Sequence, residues 1–312
     1  MHRFKFVIYR PIQMIPVLIG ISLITFILIH SIPGDPVRIL LGPRATKALI
    51  ETVHAQYGLD KPVYIQYVFF LKNLLHGDMG RSIVFKMPVL GLISERISAT
   101  LFLLVNGLAY ALALTLPLAI IAALYQGRLP DHLIRLVSTI GLGFPAFWLG
   151  IMMMMIFSVW LGKFPVSGYG RTFIEHLHHL FLPSLTIAVA LSAVLIRNLR
   201  ASLLTEMDSD YVAAVRAKGL PESWIFIRHV IRNSLIPTIN LLGVNLGWLI
   251  GGTVIIETVF SVPGLGSLLV SSIFTRDYMV VMAITMVFAC AIVIVNFTVD
   301  IITVALDPRI EL

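Results

Sequence analysis

The segment Asp210-Tyr-Val-Ala-Ala-Val-Arg-Ala-Lys-Gly219-Leu-Pro221 encodes a short helix, a stop and the start of a second helix, between long apolar stretches. Asp210 suits the N-terminal cap of a helix over Tyr211–Lys218, and Gly219 suits the left-handed residue that ends it. The Pro-Glu pair that follows begins a second helix, predicted over residues 221–235. Because the first helix is too short to cross a bilayer, the segment predicts a docking element for a partner protein.

Side chains three or four residues apart lie on one face of a helix. The face predicted to meet the partner holds Tyr211, Ala214, Val215 and Lys218. Arg216 lies on another side of the helix. The contact surface is therefore mostly small and apolar, with one cation at its end.

The composition is that of a membrane protein. Of the 312 residues, 58% are hydrophobic and 12% are charged, whereas roughly a quarter of an average soluble domain is charged. Six windows have few or no charges and are each close to the roughly 20 residues that cross a hydrocarbon core. The windows are Pro11–Ser31, Thr100–Tyr125, Ile134–Leu161, Leu177–Ile196, Pro237–Ile256 and Met279–Val299. The predicted fold class is an all-α integral membrane protein with six transmembrane helices.

The spacing of these windows divides the chain into three parts. Residues 1–31 form the N-terminal segment and the first span, residues 32–99 a helical extracytoplasmic loop, and residues 100–312 the core with spans two to six. The core includes the docking loop, residues 198–235. Within the extracytoplasmic loop, apolar residues at helical spacing from Leu49 predict an amphipathic helix that ends at Gly58, and a second helix is predicted over Val63–Leu75.

The distribution of basic residues predicts the orientation, because lysine and arginine in short loops resist translocation. They cluster beside the windows at Arg3, Lys5, Arg10, Arg128, Arg135, Arg197, Arg200, Arg216, Lys218, Arg228 and Arg232. Both termini and the docking loop are therefore predicted to be cytoplasmic. The 32–99 loop is long enough to translocate largely regardless of its charge. The net charge of +7 accordingly reflects topology, and no soluble basic face for nucleic acid is predicted.

The third window contains Gly141, Gly143 and Pro145 within a few residues of one another. Proline removes a backbone donor and clashes with the preceding turn, so the helix is predicted to kink or open at Pro145. An opened helix at membrane depth is tolerated against protein or a water-filled cavity. The break is thus a candidate part of a transport pathway, with simple packing as the alternative.

Gly243, Gly247 and Gly251 recur every four residues in the fifth window. Small residues at this spacing form a smooth ridge that a neighbouring helix can approach closely. Two partners remain open for the ridge: another helix of this chain, or a second membrane subunit.

Glu257 ends the fifth window and is followed by the pair Pro263-Gly264. An ionisable group near membrane depth is costly and marks a functional candidate. Glu257, Pro263 and Gly264 are therefore candidate gate residues. Glu257 is interpreted either as a cap within an outer gate or as a group that contacts substrate.

Catalytic and metal sites are not predicted. The sequence contains no Gly-x-x-x-x-Gly-Lys-Ser/Thr phosphate loop and no convincing set of nucleophile, base and orienting residue. His176, His178 and His179 lie close together, but only the first and third share a helix face, so interfacial imidazoles are favoured over a metal site. The protein is predicted not to be an enzyme.

A series of short patterns, in order along nearly the whole chain, resembles the permease subunits of ABC importers in the dipeptide/oligopeptide/nickel family, specifically their first, B-type permease. The patterns are Ile32-Pro-Gly-Asp-Pro36, Gly58-Leu-Asp-Lys-Pro62, Gly77-Asp-Met-Gly80, Phe144-Pro-Ala-Phe-Trp-Leu-Gly150, Arg216-Ala-Lys-Gly219, Thr258-Val-Phe-Ser-Val-Pro-Gly-Leu-Gly266, Arg276-Asp-Tyr278 and Asp307-Pro-Arg309. The chain departs from the general permease loop where it reads Ala213-Ala-Val215 in place of Glu-Ala-Ala. One expected charged contact is absent as a result.

The resemblance implies a subunit that couples transport to ATP hydrolysis elsewhere. The residues it assigns to coupling are Asp210, Tyr211, Ala214, Val215, Arg216, Lys218 and Gly219. The implied partners are a second homologous permease, two ATP-binding subunits that use ATP and Mg, an extracytoplasmic substrate-binding protein and membrane lipid, and this chain itself is expected to bind no cofactor. The implied cargo is short peptides or related small solutes, carried across the bacterial cytoplasmic (inner) membrane by alternating access. A nickel or metal-chelate importer of the same family and an autonomous secondary transporter are the alternatives.

Overall fold

The protein is helical throughout the residues that the computed structural model describes, which are 2–31, 46–57 and 60–306. In chain order the helices are α1 (His2–Ser31), α2 (Lys47–Tyr57), α3 (Val63–Leu75), α4 (Val89–Leu124), α5 (Leu129–Gly143), α6 (Ala146–Trp160), α7 (Phe173–Met207), α8 (Asp210–Ala217), α9 (Glu222–Val259), α10 (Leu265–Phe274) and α11 (Tyr278–Leu306). The patterns Ile32-Pro-Gly-Asp-Pro36 and Asp307-Pro-Arg309, together with Gly58, lie outside the described residues.

Five single helices are long and apolar enough to cross a membrane: α1, α4, α7, α9 and α11. The helices α5 and α6 pass the same test as a pair, with a bend of 106° between them. The six predicted windows therefore coincide with five single helices and one bent pair. The spans are longer than the windows, because the helices continue past the apolar residues into polar flanks.

Both halves of the bent pair pack along α7. Asp131 in α5 bonds to Arg200 of α7, and Gly141 faces Ala193, about two turns earlier in α7. Beyond the bend, Gly150 faces Thr186 of the same helix. The chain thus runs antiparallel to α7 over most of its length.

Helix α4 begins before the predicted division of the chain at residues 99/100. It starts at Val89, with Pro88 as its N-terminal cap residue, and continues without a break to Leu124. Ala99 and Thr100 are both buried within it. The helix extends beyond the apolar window, past Glu95 and Arg96, because helix formation does not require an apolar sequence.

Helices α4 and α7 form the centre of the molecule. Gly107 of α4 lies so close to α7 that a Cβ atom there would sit 2.9 Å from the Ile187 side chain. Ala111 and Ala188 are fully buried at the same interface. Small residues let the two backbones approach, which is what favours helix association in lipid.

The predicted helices of the extracytoplasmic loop are both present. Helix α2 covers Lys47–Tyr57, and α3 has the predicted bounds Val63–Leu75. Gly77 ends this part with a φ of +77°, a conformation that glycine adopts without steric cost. Helix α3 packs on the end of α1 and the start of α11 through Tyr67 and Phe70.

The glycine ridge of α9 changes character along its length. A Cβ at Gly243 would overlap the Val299 side chain of α11, so this glycine packs within the chain. At Gly247 a Cβ would make an ordinary contact, 3.8 Å from Ile292, and at Gly251 it would meet nothing within 4 Å. Packing inside the chain therefore explains Gly243, whereas the surface at Gly251 is free of contacts with other helices of this chain.

Candidate coupling and gating sites

The docking segment folds into a short helix followed by a left-handed turn. Helix α8 runs from Asp210 to Ala217 with Ser209 as its cap residue, so the predicted cap at Asp210 is wrong by one position. No side chain bonds to the backbone at this cap. Gly219 has a φ of +78°, as predicted for the residue that stops the helix.

The second helix of the segment does not end at residue 235 as predicted. It begins at Glu222, passes through a π-helical turn at Phe226–Ile231, and continues as the fifth span to Val259. Pro237 is accommodated inside it. Proline within a helix lacks one backbone donor, yet the helix continues past it. The docking helix is therefore connected directly to a transmembrane helix by one turn.

One buried side chain fixes α8 to the membrane part of the protein. Val212 is 1% exposed and packs against Ile225 and Val230 of α9 and Leu203 of α7. Because α8 has a single fully buried residue, this contact sets the position of the helix on the two spans.

Tyr211 adds polar contacts to both of those spans. Its hydroxyl donates to Glu206 Oε2 of α7 at 2.6 Å and accepts from Asn233 Nδ2 of α9 at 3.0 Å. Partial burial, and then the bond to Glu206, raise the pKa of Tyr211 above its ordinary value. The tyrosine predicted to meet the partner is thus also held by its own chain.

Arg216 crosses the turn at Gly219 and pairs with Glu222 at the start of α9. Both carboxylate oxygens accept from the guanidinium, Oε2 at 3.1 Å from Nη2. The hydrogen bonds of the pair raise the pKa of Arg216 and lower that of Glu222. The pair bridges the turn from two exposed side chains.

The predicted contact face of α8 is largely open. Tyr211, Ala214 and Lys218 are exposed, while Val215 is half-buried against Val212 and its neighbours. Ala213 and Arg216 are also exposed, outside the predicted face. The open surface of α8 therefore combines small residues with the charges of Arg216 and Lys218.

The loop between α4 and α5 is tied to α7 by an ion pair that the sequence reasoning missed. Arg200 donates two hydrogen bonds to Asp131, at 2.6 and 2.7 Å, and the Gly127 N–H donates a third at 2.9 Å. Arg135 lies 3.3 Å from the same carboxylate. Asp131 is buried, so this anion is fully compensated. Its partners lie up to 69 residues away, and no local signal marks them.

Glu257 is buried and turned toward the start of α10. Its carboxylate accepts from the Thr100 hydroxyl at 2.6 Å and from the Ser267 N–H at 2.9 Å. The Thr100 oxygen in turn accepts from the Leu265 N–H at 2.8 Å. Two of the free N–H groups at the start of α10 are thereby satisfied by side chains from α4 and α9. The geometry is that of a cap that joins three helices, the first of the two interpretations.

Gly264 is required by this arrangement. A Cβ at this position would overlap the Glu257 carboxylate, so any other residue would push it away. Pro263 beside it is exposed, and Ser261 has a φ of +49°. The turn that carries the predicted gate pair is therefore tightly constrained on its inner side.

Pro145 lies at the break in the third span. It is the cap residue of α6, in an extended conformation with ψ of 141°, and Phe144 stacks on Trp148 across it at 4.3 Å between ring centres. Pro145 and both rings are exposed in the isolated chain. The kink predicted at this residue is confirmed as a full break, whose surface faces away from the other helices of this chain.

The three histidines bind a loop rather than one another. His176 Nδ1 contacts the Tyr169 carbonyl at 2.7 Å, and His179 Nδ1 contacts that of Ser167 at 3.0 Å. His178 Nε2 contacts the Lys163 carbonyl at 3.2 Å. Among the described residues, no group of three or more His, Cys, Asp or Glu side chains could hold a metal ion.

Comparison with known proteins finds similarity to transport-system membrane proteins along nearly the whole chain. The family model of the binding-protein-dependent transport system inner membrane component matches residues 115–312, and that of the N-terminal part of such a membrane component matches residues 3–128. The glutathione transport system permease protein GsiC of Escherichia coli strain K12 is 38% identical over 307 residues, which cover 98% of this chain and 99% of the relative. GsiC of Shigella dysenteriae serotype 1 has the same identity and coverage.

The fold is similar to that of a solved transporter. An inward-facing structure of the MetNI methionine ABC transporter matches with a TM-score of 0.56 at 19% identity, covering 69% of this chain and 96% of that one. The likeness shows that the helical core shares the fold of that transporter chain.

A bundle of apolar helices long enough to cross a membrane, with a short helix packed on two of them, is the architecture of a multi-span membrane protein. The chain belongs to the family of binding-protein-dependent transport system inner membrane components, in its peptide/oligopeptide branch. It is a multi-pass inner membrane protein and the permease subunit of an ATP-driven importer for small solutes, with ATP hydrolysis carried out by partner subunits. Family membership favours this function over the autonomous secondary transporter.

Proposed function

We propose that this chain lines, together with a second homologous permease, the pathway of an importer for short peptides, with glutathione among them. The observation that carries the proposal is the 38% identity, over practically the full length of both proteins, to permeases of glutathione transport systems. Two ATP-binding subunits that use ATP and Mg, and an external binding protein, complete the proposed assembly. Chelated nickel, the cargo of the alternative, has no comparable support.

Helix α8 is the proposed point of contact with an ATP-binding subunit. Its exposed small residues suit close contact with a partner, and Tyr211 connects it to both α7 and α9. A displacement of α8 therefore reaches two transmembrane helices at once, while Arg216 and Glu222 bridge the turn. This linkage supports the proposed role of Asp210–Gly219 in coupling.

In the proposed gate, Glu257 holds helices in position and does not contact the solute with its charge. Glu257 is fully buried, and its oxygens are engaged by Thr100 and by the start of α10. Pro263 and Gly264 form the turn beside it. We assign Glu257 to holding the gate turn, and Pro145, with its exposed aromatic stack, to the pathway side of the third span.

The proposed orientation places both termini and α8 in the cytoplasm and α2–α3 outside. Thr46 and Ala213 are exposed and lie on the two opposite sides in this arrangement. Single cysteines at these positions, in a Cys290→Ser background, should react with a membrane-impermeant maleimide in intact cells only at Thr46→Cys. Labelling of Ala213→Cys from outside would refute the orientation.

The substrate is tested by uptake into proteoliposomes that contain the assembled importer and its binding protein. ATP-dependent uptake of labelled glutathione or di- and tripeptides is expected, and a nickel chelate should not accumulate. Uptake of the nickel chelate without that of any peptide would replace the proposed cargo. An ATP-free, gradient-driven uptake would contradict the importer itself.

A further inference from the structure

The length of α1 provides a scale for depth in the membrane. Its apolar part, Ile12–Ser31, has 20 residues, which at 1.5 Å per residue span about 30 Å, the thickness of a hydrocarbon core. Ser31 therefore lies near one boundary of the core. Ser22, nine residues earlier, lies about 14 Å inside that boundary by the same rise per residue.

Helix α3 contacts α1 at that depth. The Tyr67 hydroxyl lies 2.9 Å from the buried Ser22 Oγ and 3.4 Å from the Ile19 carbonyl oxygen. One residue earlier in α3, Gln66 Oε1 lies 3.2 Å from His30 Nε2. His30 is one residue before Ser31, so the Gln66 contact holds the backbone of α3 close to the boundary of the core. The Tyr67 ring extends from there into the hydrocarbon region, where its hydroxyl meets Ser22.

The surface of α3 is apolar on the sides that the chain leaves uncovered. Within α3, all of which the structure describes, no residue is buried. Its exposed side chains include Val63, Tyr64, Val68, Phe69 and Leu75, with exposures from 44% to 87%. In water such a surface would be costly, because each of these side chains would lose the gain from burial.

The cations around α3 are placed as they are in helices at membrane surfaces. Lys61 precedes the helix and lies over the Phe69 ring at 4.3 Å, and Lys72 is in its last turn. Lysines at the two ends of an apolar helix can reach the headgroups while the middle of the helix stays among acyl chains. Anionic lipid headgroups would complement both charges.

We propose that α3 is embedded in the leaflet at the Ser31 end of α1, with its exposed apolar side chains against lipid acyl chains. The extracytoplasmic loop is then a membrane-anchored element and not a cap that stands wholly in water. A water-soluble binding protein cannot occupy this surface, because it would have to enter the hydrocarbon region beside Ser22. The apolar surface of α1 continues at the same depth through exposed Ile24 and Leu28.

The proposal is tested by spin labelling of the assembled importer in nanodiscs of phosphatidylethanolamine and phosphatidylglycerol. A nitroxide is attached at Val68→Cys in a Cys290→Ser background, and at Glu51→Cys of α2 as the matched control, since both positions are exposed on helices of the same loop. Power-saturation measurements compare accessibility to oxygen, which concentrates in lipid, with accessibility to a water-soluble nickel chelate. Lipids carrying nitroxides at known carbons calibrate the depth.

The expected result is high oxygen and lost chelate accessibility at Val68→Cys, and the reverse at Glu51→Cys. Chelate accessibility at Val68→Cys equal to that of the control would place α3 in water and overturn the proposal. Low accessibility to both reagents would show that a protein subunit covers α3, and would overturn it equally. The result does not depend on the cargo or on ATP, so it stands apart from the proposed function.

Discussion

Asp131 and Arg200 are joined by two parallel hydrogen bonds of 2.6 and 2.7 Å, which fasten the first turn of the broken span to α7. Arg200 lies two turns before the end of α7, and the docking helix α8 begins three residues after that end. The pair therefore links the entry of the third span to the helix from which the docking segment emerges.

Replacement of Asp131 by Asn should destabilise the subunit markedly, because the largely buried Arg200 would keep its charge without a partner. Loss of one member of a buried pair costs about 3–5 kcal/mol. Arg135→Gln is the matched control, since Arg135 contacts the same carboxylate from a half-exposed position, where an ion pair contributes about 0–1 kcal/mol. Thermal unfolding of the two purified variants makes the comparison, and equal melting temperatures would show that Arg200 does not depend on Asp131.

Gly219→Ala should weaken coupling through backbone strain alone. A Cβ there would meet nothing within 4 Å, but a φ of +78° costs a non-glycine residue about 1–2 kcal/mol. Gly252→Ala is the control, because its Cβ would also meet open space, in ordinary helical backbone. Transport per ATP hydrolysed should fall for the first variant and stay unchanged for the second. An unaltered ratio in Gly219→Ala would mean that the turn does not set the position of α8.

Gly243→Ala should destabilise the chain by about 1–3 kcal/mol, the usual cost of overpacking. The added methyl group would overlap Val299, so Gly243→Ala combined with Val299→Ala should recover most of the loss. Gly251→Ala should be neutral, as its Cβ would be free. Unfolding of the isolated subunit in detergent measures all three, and a double variant no better than the single one would contradict the contact.

Thr100→Val should lower stability by about 1–3 kcal/mol, because it leaves the buried Leu265 N–H without an acceptor. It also removes the hydroxyl that donates to Glu257. Thr258→Val provides the control, since that hydroxyl is exposed and donates to the Val254 carbonyl one turn earlier in α9. A matching stability loss in both variants would show that the buried network is not what holds α10.

The parts of the fold that could be predicted are those that local sequence decides. Helix α3 was placed at its observed bounds because Pro62 precedes it and His76-Gly77 follows it. The left-handed residue at Gly219 and the break at Pro145 were predicted because each follows from the backbone chemistry of a single residue. The apolar windows located the spans, although the ends of helices in polar sequence were missed.

The polar network could not be predicted in the same way. Glu257 was recognised as costly at its depth, but its partners Thr100 and Ser267 belong to other helices. Arg216 was assigned to coupling, but its pairing with Glu222 was not predicted, because it depends on how the Gly219 turn folds back. The position of α11 likewise determines which glycines of the α9 ridge pack within the chain. The spacing of the glycines in the sequence does not reveal that position.

The break at Pro145 gives the third span a property that the straight spans lack. In a straight helix, a change of direction requires backbone hydrogen bonds to be broken in a medium that offers no replacement. The helix is already interrupted between Gly143 and Ala146, so the angle between α5 and α6 can change without unwinding either helix. One half is fastened to α7 by Asp131, and the other contacts it at Thr186. The third span therefore has a hinge at Pro145, about which α6 can change its angle while α5 stays fixed to α7.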